Sequence, residues 1–257
     1  MLKNNKSLGQ HWLRDRDVLS HIADCADINS DDTILEIGPG LGTLTSELLR
    51  RAGKVIAVEF DAELAAKLPG QFPGKNLEVI NSDILKFDLT KLPAGYKVVA
   101  NVPYYITSKI VQMLMTSTNK PATTVLLVQK EVAERLASNP GDMSILAVSA
   151  QVFANVYLGD IVPAKLFTPP PKVDSQVVVL QTRKTPFFTD VTELEYFHTV
   201  KAGFSAKRKK LRSSLSGGLK ISKPEVEAIL EKAKISPDSR AEQLTLDDWL
   251  RLTRVLK

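Results

Sequence analysis

Short β-branched runs alternate with amphipathic stretches through the first 180 or so residues. Thr33 to Ile37, Val55 to Glu59, Leu77 to Asn81, Tyr96 to Ala100 and Val125 to Gln129 each read as a buried strand. Between them, Asp15 to Ile28, Leu44 to Arg51 and Glu131 to Ala137 place apolar residues at helical spacing. Strands alternating with helices imply a largely parallel α/β sheet. Phe153 to Val162 and Val173 to Thr182 read as extended, joined by a stiff connection holding Pro163, Phe167, Pro169, Pro170 and Pro171. Beyond Arg183 the periodicity is helical only, over Glu193 to Lys201, Pro224 to Lys232 and Thr245 to Val255, with Pro224 suited to a first helical turn. The change falls near Arg183-Lys184-Thr185-Pro186. A larger α/β domain over 1–184 and a small all-helical one over 185–257 are therefore expected.

Composition narrows the class. The 257 residues contain no apolar run long enough to span a bilayer, and the polar stretch Met1 to Gln10 predicts neither a signal peptide nor an Arg-rich transit peptide. One cysteine, Cys25, rules out an internal disulfide framework, and no Cys/His cluster suggests a metal. A cytoplasmic protein is the expectation. Charge is uneven: through Thr182 there are 18 Lys and Arg against 19 Asp and Glu, and from Arg183 there are 16 against 10. The excess concentrates in Lys207, Arg208, Lys209 and Lys210 with Arg212. Such a run commonly forms a solvated helix face. Beside a domain acting on nucleic acid it becomes a candidate contact to a phosphate backbone.

Four strand ends carry candidate chemistry. After the first strand comes Gly38-Pro39-Gly40-Leu41-Gly42, a turn in which missing side chains let the backbone bend and a ligand approach. Its Gly-x-Gly-x-Gly spacing differs from the dinucleotide fingerprint. Glu59 ends the second strand, about 20 residues on, where its carboxylate can take both hydroxyls of a ribose. Asp83 follows the third and can accept an adenine amine while Ile84 packs on the ring. The fourth runs into Asn101-Val102-Pro103-Tyr104. There an Asn oxygen and a backbone carbonyl can meet a flat exocyclic amine, Pro103 stiffens the turn, and Tyr104 offers a stacking face. In an open parallel sheet ligands bind outside such carboxyl ends. The ordered series Gly38, Glu59, Asp83, Asn101 is the layout of an S-adenosylmethionine site, and the last loop resembles those of methyltransferases acting on planar nitrogens. Phe167, although such a residue is often packing, could stand across from Tyr104 and close a sandwich around an extruded adenine.

Several motifs together resemble the small-subunit ribosomal RNA adenine N6,N6-dimethyltransferases, and nearly end to end. They are Gly9 to Leu13, Leu35 to Gly42, Asn101 to Tyr104, Phe167 to Ser175, Gly203-Phe204 with Lys207 to Arg212, and Arg240 to Leu244. The resemblance implies a Rossmann-like class I methyltransferase sheet of seven strands with the last inserted antiparallel. It also implies dimethylation of adenine N6 on two adjacent adenosines near the 3′ end of small-subunit rRNA, within a pre-ribosomal particle, by a monomer. One departure stands out: where the family usually has Gln-Asn-Phe-Leu, this chain has His11 and Trp12 in place of Asn and Phe. The resemblance places His11 and the backbone of Leu13 against the cofactor's methionine or ribose end.

Two other readings differ in substrate or class. The macrolide-resistance type of adenine methyltransferase shares the catalytic domain but acts on large-subunit rRNA. The three consecutive prolines Pro169 to Pro171 and the basic segment favour the small-subunit type. The chain could also serve chiefly as a ribosome-assembly binding factor with secondary methyl transfer. DNA adenine methylation fits less well, because Val102 replaces a proline of the usual loop.

Overall fold

The structure, a computed structural model, describes residues 11–206 and 208–257. Among the described residues nine strands lie in chain order: β1 Trp12–Leu13, β2 Thr33–Ile37, β3 Lys54–Glu59, β4 Leu77–Asn81, β5 Lys97–Asn101, β6 Thr123–Gln129, β7 Ala154–Val162, β8 Phe167–Thr168 and β9 Ser175–Thr182. Seven form one sheet in the order β4-β3-β2-β5-β6-β9-β7. The pairs from β4 through β6 are parallel, and β9 inserts antiparallel between β6 and β7. This is the expected seven-stranded arrangement. β2, β3 and β6 are buried over nearly their whole length, which explains their continuous apolar runs, since parallel strands are covered on both faces. The edge strand β7 is mostly exposed. β1 and β8 form a separate two-stranded ribbon, pairing Trp12 with Thr168 and Leu13 with Phe167.

The helices are α1 Arg16–Asp24, α2 Thr43–Leu48, α3 Ala62–Lys67, α4 Thr107–Thr116, α5 Lys130–Leu136, α6 Ile145–Gln151, α7 Glu193–Gly203, α8 Leu211–Leu219, α9 Lys223–Lys232 and α10 Leu246–Leu256. No helix among the described residues is long and apolar enough to cross a membrane. The chain divides into two compact units, one of residues 1–134 with 154–182, the other of 135–153 with 183–257. The single boundary expected at 184/185 therefore misses an insertion. Ala147 and Val148 of α6, with Val152 just beyond it, join the helical core made by Tyr196, Val200, Leu211, Leu215, Leu230 and Trp249. Their apolar side chains are satisfied there, whatever their position between two sheet strands.

In the first unit Leu19 and Ile22 of α1 and Leu44 and Leu48 of α2 pack with Val55, Val99, Val125 and Leu127 from the sheet. In the second, α7, α9 and α10 each start with a reciprocal cap: Thr192 with Glu195, Ser222 with Glu225 and Thr245 with Asp248. Each cap satisfies donors that a helix start otherwise leaves open, worth about 1 kcal/mol apiece.

Two adjacent glycines of α8 should respond oppositely to substitution. A Cβ on Gly218 would stand 2.6 Å from both Cα and O of Ala202, whereas Gly217 has open space. Gly218→Ala is expected to destabilise by about 1–3 kcal/mol through overpacking. Gly217→Ala is expected to stabilise by about 0.5–1 kcal/mol, because a helical glycine loses more backbone freedom on folding. Urea denaturation midpoints moving in the same direction would contradict this packing.

Glu36 is the polar exception inside β2, 1 % exposed, and its Oε2 has no hydrogen-bond partner. Burial pushes its carboxyl up to about 8, with Thr45 opposing and the nearby charge of Glu59 adding to the rise. The folded chain thus keeps a proton that the unfolded chain releases above about 4.5. The stability from this group is complete below that lower value and declines as pH rises towards about 8. Glu36→Gln, which cannot ionise, should show a flatter dependence of denaturation midpoint on pH over this window. Parallel pH profiles for the two proteins would refute a buried, protonated Glu36.

Candidate active site

The strand order reverses at β2, which has β3 on one side and β5 on the other. At the carboxyl ends of β2, β3, β4 and β5 lies a cavity of about 250 Å³. Its lining includes Gly38, Gly40, Glu59, Asp83, Ile84, Asn101, Pro103 and Tyr104, together with His11 and Leu13. Four loops far apart in sequence are thus brought to one place. The glycine turn is shaped by positive φ at Gly38, Gly40 and Gly42. At Gly42 the need is also steric, since a Cβ would lie 2.8 Å from Leu68 Cδ1.

Glu59 ties this turn to the neighbouring strand. Gly40 N–H donates to Glu59 Oε2 at 3.0 Å and Asp61 N–H to Oε1 at 2.9 Å. Burial raises the Glu59 carboxyl, while these amides hold it down in part. Each oxygen keeps a lone pair for one further donor, which is what the vicinal hydroxyls of a ribose require. Asp83 spends Oδ1 on Leu85 N–H at 3.0 Å, leaving Oδ2 able to accept. Ile84 is buried beside it. Phe60, 61 % exposed, adds an aromatic face to the lining.

On the other side, Asn101 closes β5 and its Nδ2 donates to the carbonyl of His11 at 3.4 Å. Pro103 leads the turn containing Tyr104. The Tyr104 hydroxyl meets Ser175 Oγ at 2.7 Å, and burial raises its pKa while that hydrogen bond opposes the rise. Thr43 Oγ1 donates to the Leu13 carbonyl at 2.9 Å, so this backbone group already has a partner.

Phe167 was expected across from Tyr104. It is 2 % exposed, packs in the core with Leu13, Val162 and Val177, and does not line the cavity. Pairing with Leu13 in the β1/β8 ribbon turns it inward. The ring that faces Tyr104 is His11, with centroids 5.8 Å apart and planes 18° from parallel. Glu36, Phe60, Tyr105 and Ser175 are site neighbours that pattern reading passes over. Only Glu36 carries a signal, as an acid inside an apolar strand.

In the helical unit the basic segment is not uniform. Lys207 lies outside the described residues. Lys210 pairs with Asp238 at 2.8 Å, and Arg212 with Glu227 at 3.1 Å and Asp238 at 3.9 Å. Arg208 and Lys209 are exposed and make no ion pair among the described residues. They border a groove that Lys223 and Arg240 also line.

Similarity to known proteins agrees with this geometry. The model of the family described as ribosomal RNA adenine dimethylase matches residues 1–257. The chain is 43 % identical over 255 residues to the ribosomal RNA small subunit methyltransferase A of Dehalococcoides mccartyi strain CBDB1, covering 98 % of this chain and 88 % of that protein. With its counterpart from Thermosynechococcus vestitus the identity is 39 % over 267 residues, covering 100 % and 98 %. Among solved structures, a dimethyladenosine transferase from Plasmodium falciparum matches with a TM-score of 0.81 and 30 % identity over 94 % of this chain and 96 % of that one. The 23S rRNA methyltransferase ErmE matches with a TM-score of 0.77 and 32 % identity over 95 % and 99 %. The match of the family model to residues 1–257 and the identity of 43 % and 39 % to these relatives lead to one conclusion: the chain belongs to the ribosomal RNA adenine dimethylase family.

Proposed function

We propose that this protein uses S-adenosylmethionine to dimethylate N6 of two adjacent adenosines near the 3′ end of small-subunit rRNA. It would do so as a cytoplasmic monomer acting on a pre-ribosomal particle during small-subunit biogenesis. The observation that carries the reading is the convergence of Glu59, Asp83 and the Asn101–Tyr104 loop on one cavity. A ribose and adenine acceptor pair beside an amine-accepting loop suits a nucleoside cofactor and a planar nitrogen together. The bound cofactor supplies an electrophilic methyl group on a sulfonium.

The chain's own residues hold and orient. Glu59 would take the ribose hydroxyls, Asp83 the adenine amine and Ile84 the ring face. The backbone of Gly38 and Gly40 would allow close approach. Asn101 and a carbonyl of the Val102-Pro103 turn would accept the target amine's hydrogens, favouring a pyramidal nitrogen whose lone pair is freed from the ring. Tyr104, fixed through Ser175, would stack on the base. Positioning of this kind supplies rate by proximity, and no strong general base is required.

A large-subunit target is the second reading, favoured by the likeness to ErmE. The higher-identity relatives carry the small-subunit name, and the small-subunit reading stands first. Labelled methyl transfer to small- and large-subunit particles, with the modified adenines mapped, decides between them. Label confined to large-subunit particles would overturn the proposal. In the same assay Asn101→Ala should lower turnover by about a hundredfold or more while cofactor affinity changes little, since its main partner is the target amine. Glu59→Ala should instead weaken cofactor binding by about 1–3 kcal/mol, from loss of a charged acceptor. Calorimetric titration and single-turnover rates that reverse these two effects would reassign the residues.

The basic groove would hold phosphates without reading bases. Arg208, Lys209 and Lys223 are the expected contacts, because Lys210 and Arg212 are engaged by Asp238 and Glu227. Replacing those three by alanine should lower the salt slope of particle binding by roughly one unit per lost contact. Replacing Lys210 and Arg212 should change it less. An unchanged slope for the triple variant would mean the groove is only a solvated surface.

A further inference from the structure

Trp12 stands where the motif usually has Phe, and its ring carries a donor that a phenyl ring lacks. The β1/β8 ribbon fixes its place, pairing Trp12 with Thr168, while the next residue, Leu13, is buried. The indole lies against the glycine turn: a Cβ on Gly40 would meet Cδ1 and Nε1 at 3.7 Å each. The edge of the indole that bears the N–H therefore faces the turn. Nε1 is buried without a hydrogen-bond partner, and Trp12 lines the cavity. An indole N–H can only donate, and a buried donor without an acceptor is destabilising.

The other donors narrow what accepts it. The described residues lining the cavity include three acids, Glu36, Glu59 and Asp83, and no Lys or Arg. The glycine amides of the turn are already engaged. Gly38 N–H donates to the Val58 carbonyl at 2.9 Å, Gly40 N–H to Glu59 Oε2 at 3.0 Å and Gly42 N–H to the Pro39 carbonyl at 2.9 Å. The Thr43 hydroxyl is engaged by the Leu13 carbonyl. S-adenosylmethionine brings one anion, the carboxylate of its amino-acid end. With adenine at β4 and ribose at β3, a methyl group that reaches Asn101 after β5 puts the sulfonium and the attached amino-acid end over β2. Trp12 covers the turn that follows β2.

We propose that the Trp12 indole N–H binds the carboxylate of the cofactor, a contact that the usual Phe cannot make. This rests on the reading that Glu59 and Asp83 hold the ribose and the adenine. Calorimetry on the whole protein compares S-adenosylmethionine with its decarboxylated analogue, which keeps the adenine, ribose, sulfonium and amine. Trp12→Phe removes the N–H and keeps a ring against the turn. Its affinity for S-adenosylmethionine should fall about tenfold, the scale of one hydrogen bond to a charged group. Its affinity for the analogue should stay within about twofold of wild type. Equal losses for both ligands would assign Trp12 to packing, and an unchanged affinity for S-adenosylmethionine would deny the contact; either result overturns the inference. A second arm needs no variant to bind. The chain has two tryptophans, so heteronuclear NMR shows two indole N–H signals, and the one missing from Trp12→Phe belongs to Trp12. In the wild type that signal should move downfield with S-adenosylmethionine and much less with the analogue; the same shift with both also overturns the inference. Failure of the underlying reading looks different: Glu59→Ala would bind both ligands as the wild type does, while the two-ligand comparison still reports on Trp12.

Discussion

Everything in the first unit depends on β2 having parallel neighbours on both sides, β3 reached next in the chain and β5 reached only after β4. Parallel pairing points every strand from β2 to β6 the same way, so their following loops share one edge of the sheet. The reversal of strand order leaves the loop after β2 facing a gap. Register then does the fine placement. Glu59 at the end of β3 pairs with Asn81 and lies one residue beyond the Ile37–Val58 pair. From there its carboxylate reaches back to the amide of Gly40. A one-residue slip would turn that carboxylate to the other face of the sheet. The cavity is thus a consequence of pairing, with the side chains added to it.

The electrostatics of the cavity follow from how each acid is satisfied. Glu59 and Asp83 both accept backbone amides, so part of the cost of removing a carboxylate from water is offset within the protein. Glu36 has no such donors at Oε2, and burial leaves its proton in place over much of the neutral range. Burial raises both carboxyls, and backbone amides on both oxygens of Glu59 set the two apart by opposing the rise there. Mutual repulsion adds to the separation, since the charge of Glu59 also raises the carboxyl of Glu36.

Much of this was legible in the sequence, for identifiable reasons. Buried parallel strands announce themselves as β-branched runs, and the glycine turn, Glu59, Asp83 and Asn101 stand at their ends in order. The helices α7, α9 and α10 were legible because capping residues and period agree. α8 was hidden by Gly217 and Gly218, since two consecutive glycines argue against a helix until packing against Ala202 explains one of them. The stretch that forms α6 fell inside the expected α/β domain for another reason. Local pattern shows that Ala147 and Val148 are buried, not which core buries them. The same limit applies to Phe167: an apolar residue in a proline-stiffened loop can face a ligand or the interior, and local pattern does not show its pairing with Leu13.

The amino-terminal strap shows how a substitution pair can alter a site without touching its main acceptors. Trp12 lies against the glycine turn, where a Cβ on Gly40 would meet its indole at 3.7 Å. His11 turns to Pro169 and Tyr104. Successive residues of a strand point to opposite faces, so one change bears on the glycine turn and the other on the loop that holds Asn101. Leu13, buried next to them and hydrogen-bonded through its carbonyl to Thr43, fixes the register of both. A strap anchored by one buried leucine and a short ribbon can thus carry different side chains at its two preceding positions. The Glu59, Asp83 and Asn101 geometry is set elsewhere, by the pairing of β2 to β5.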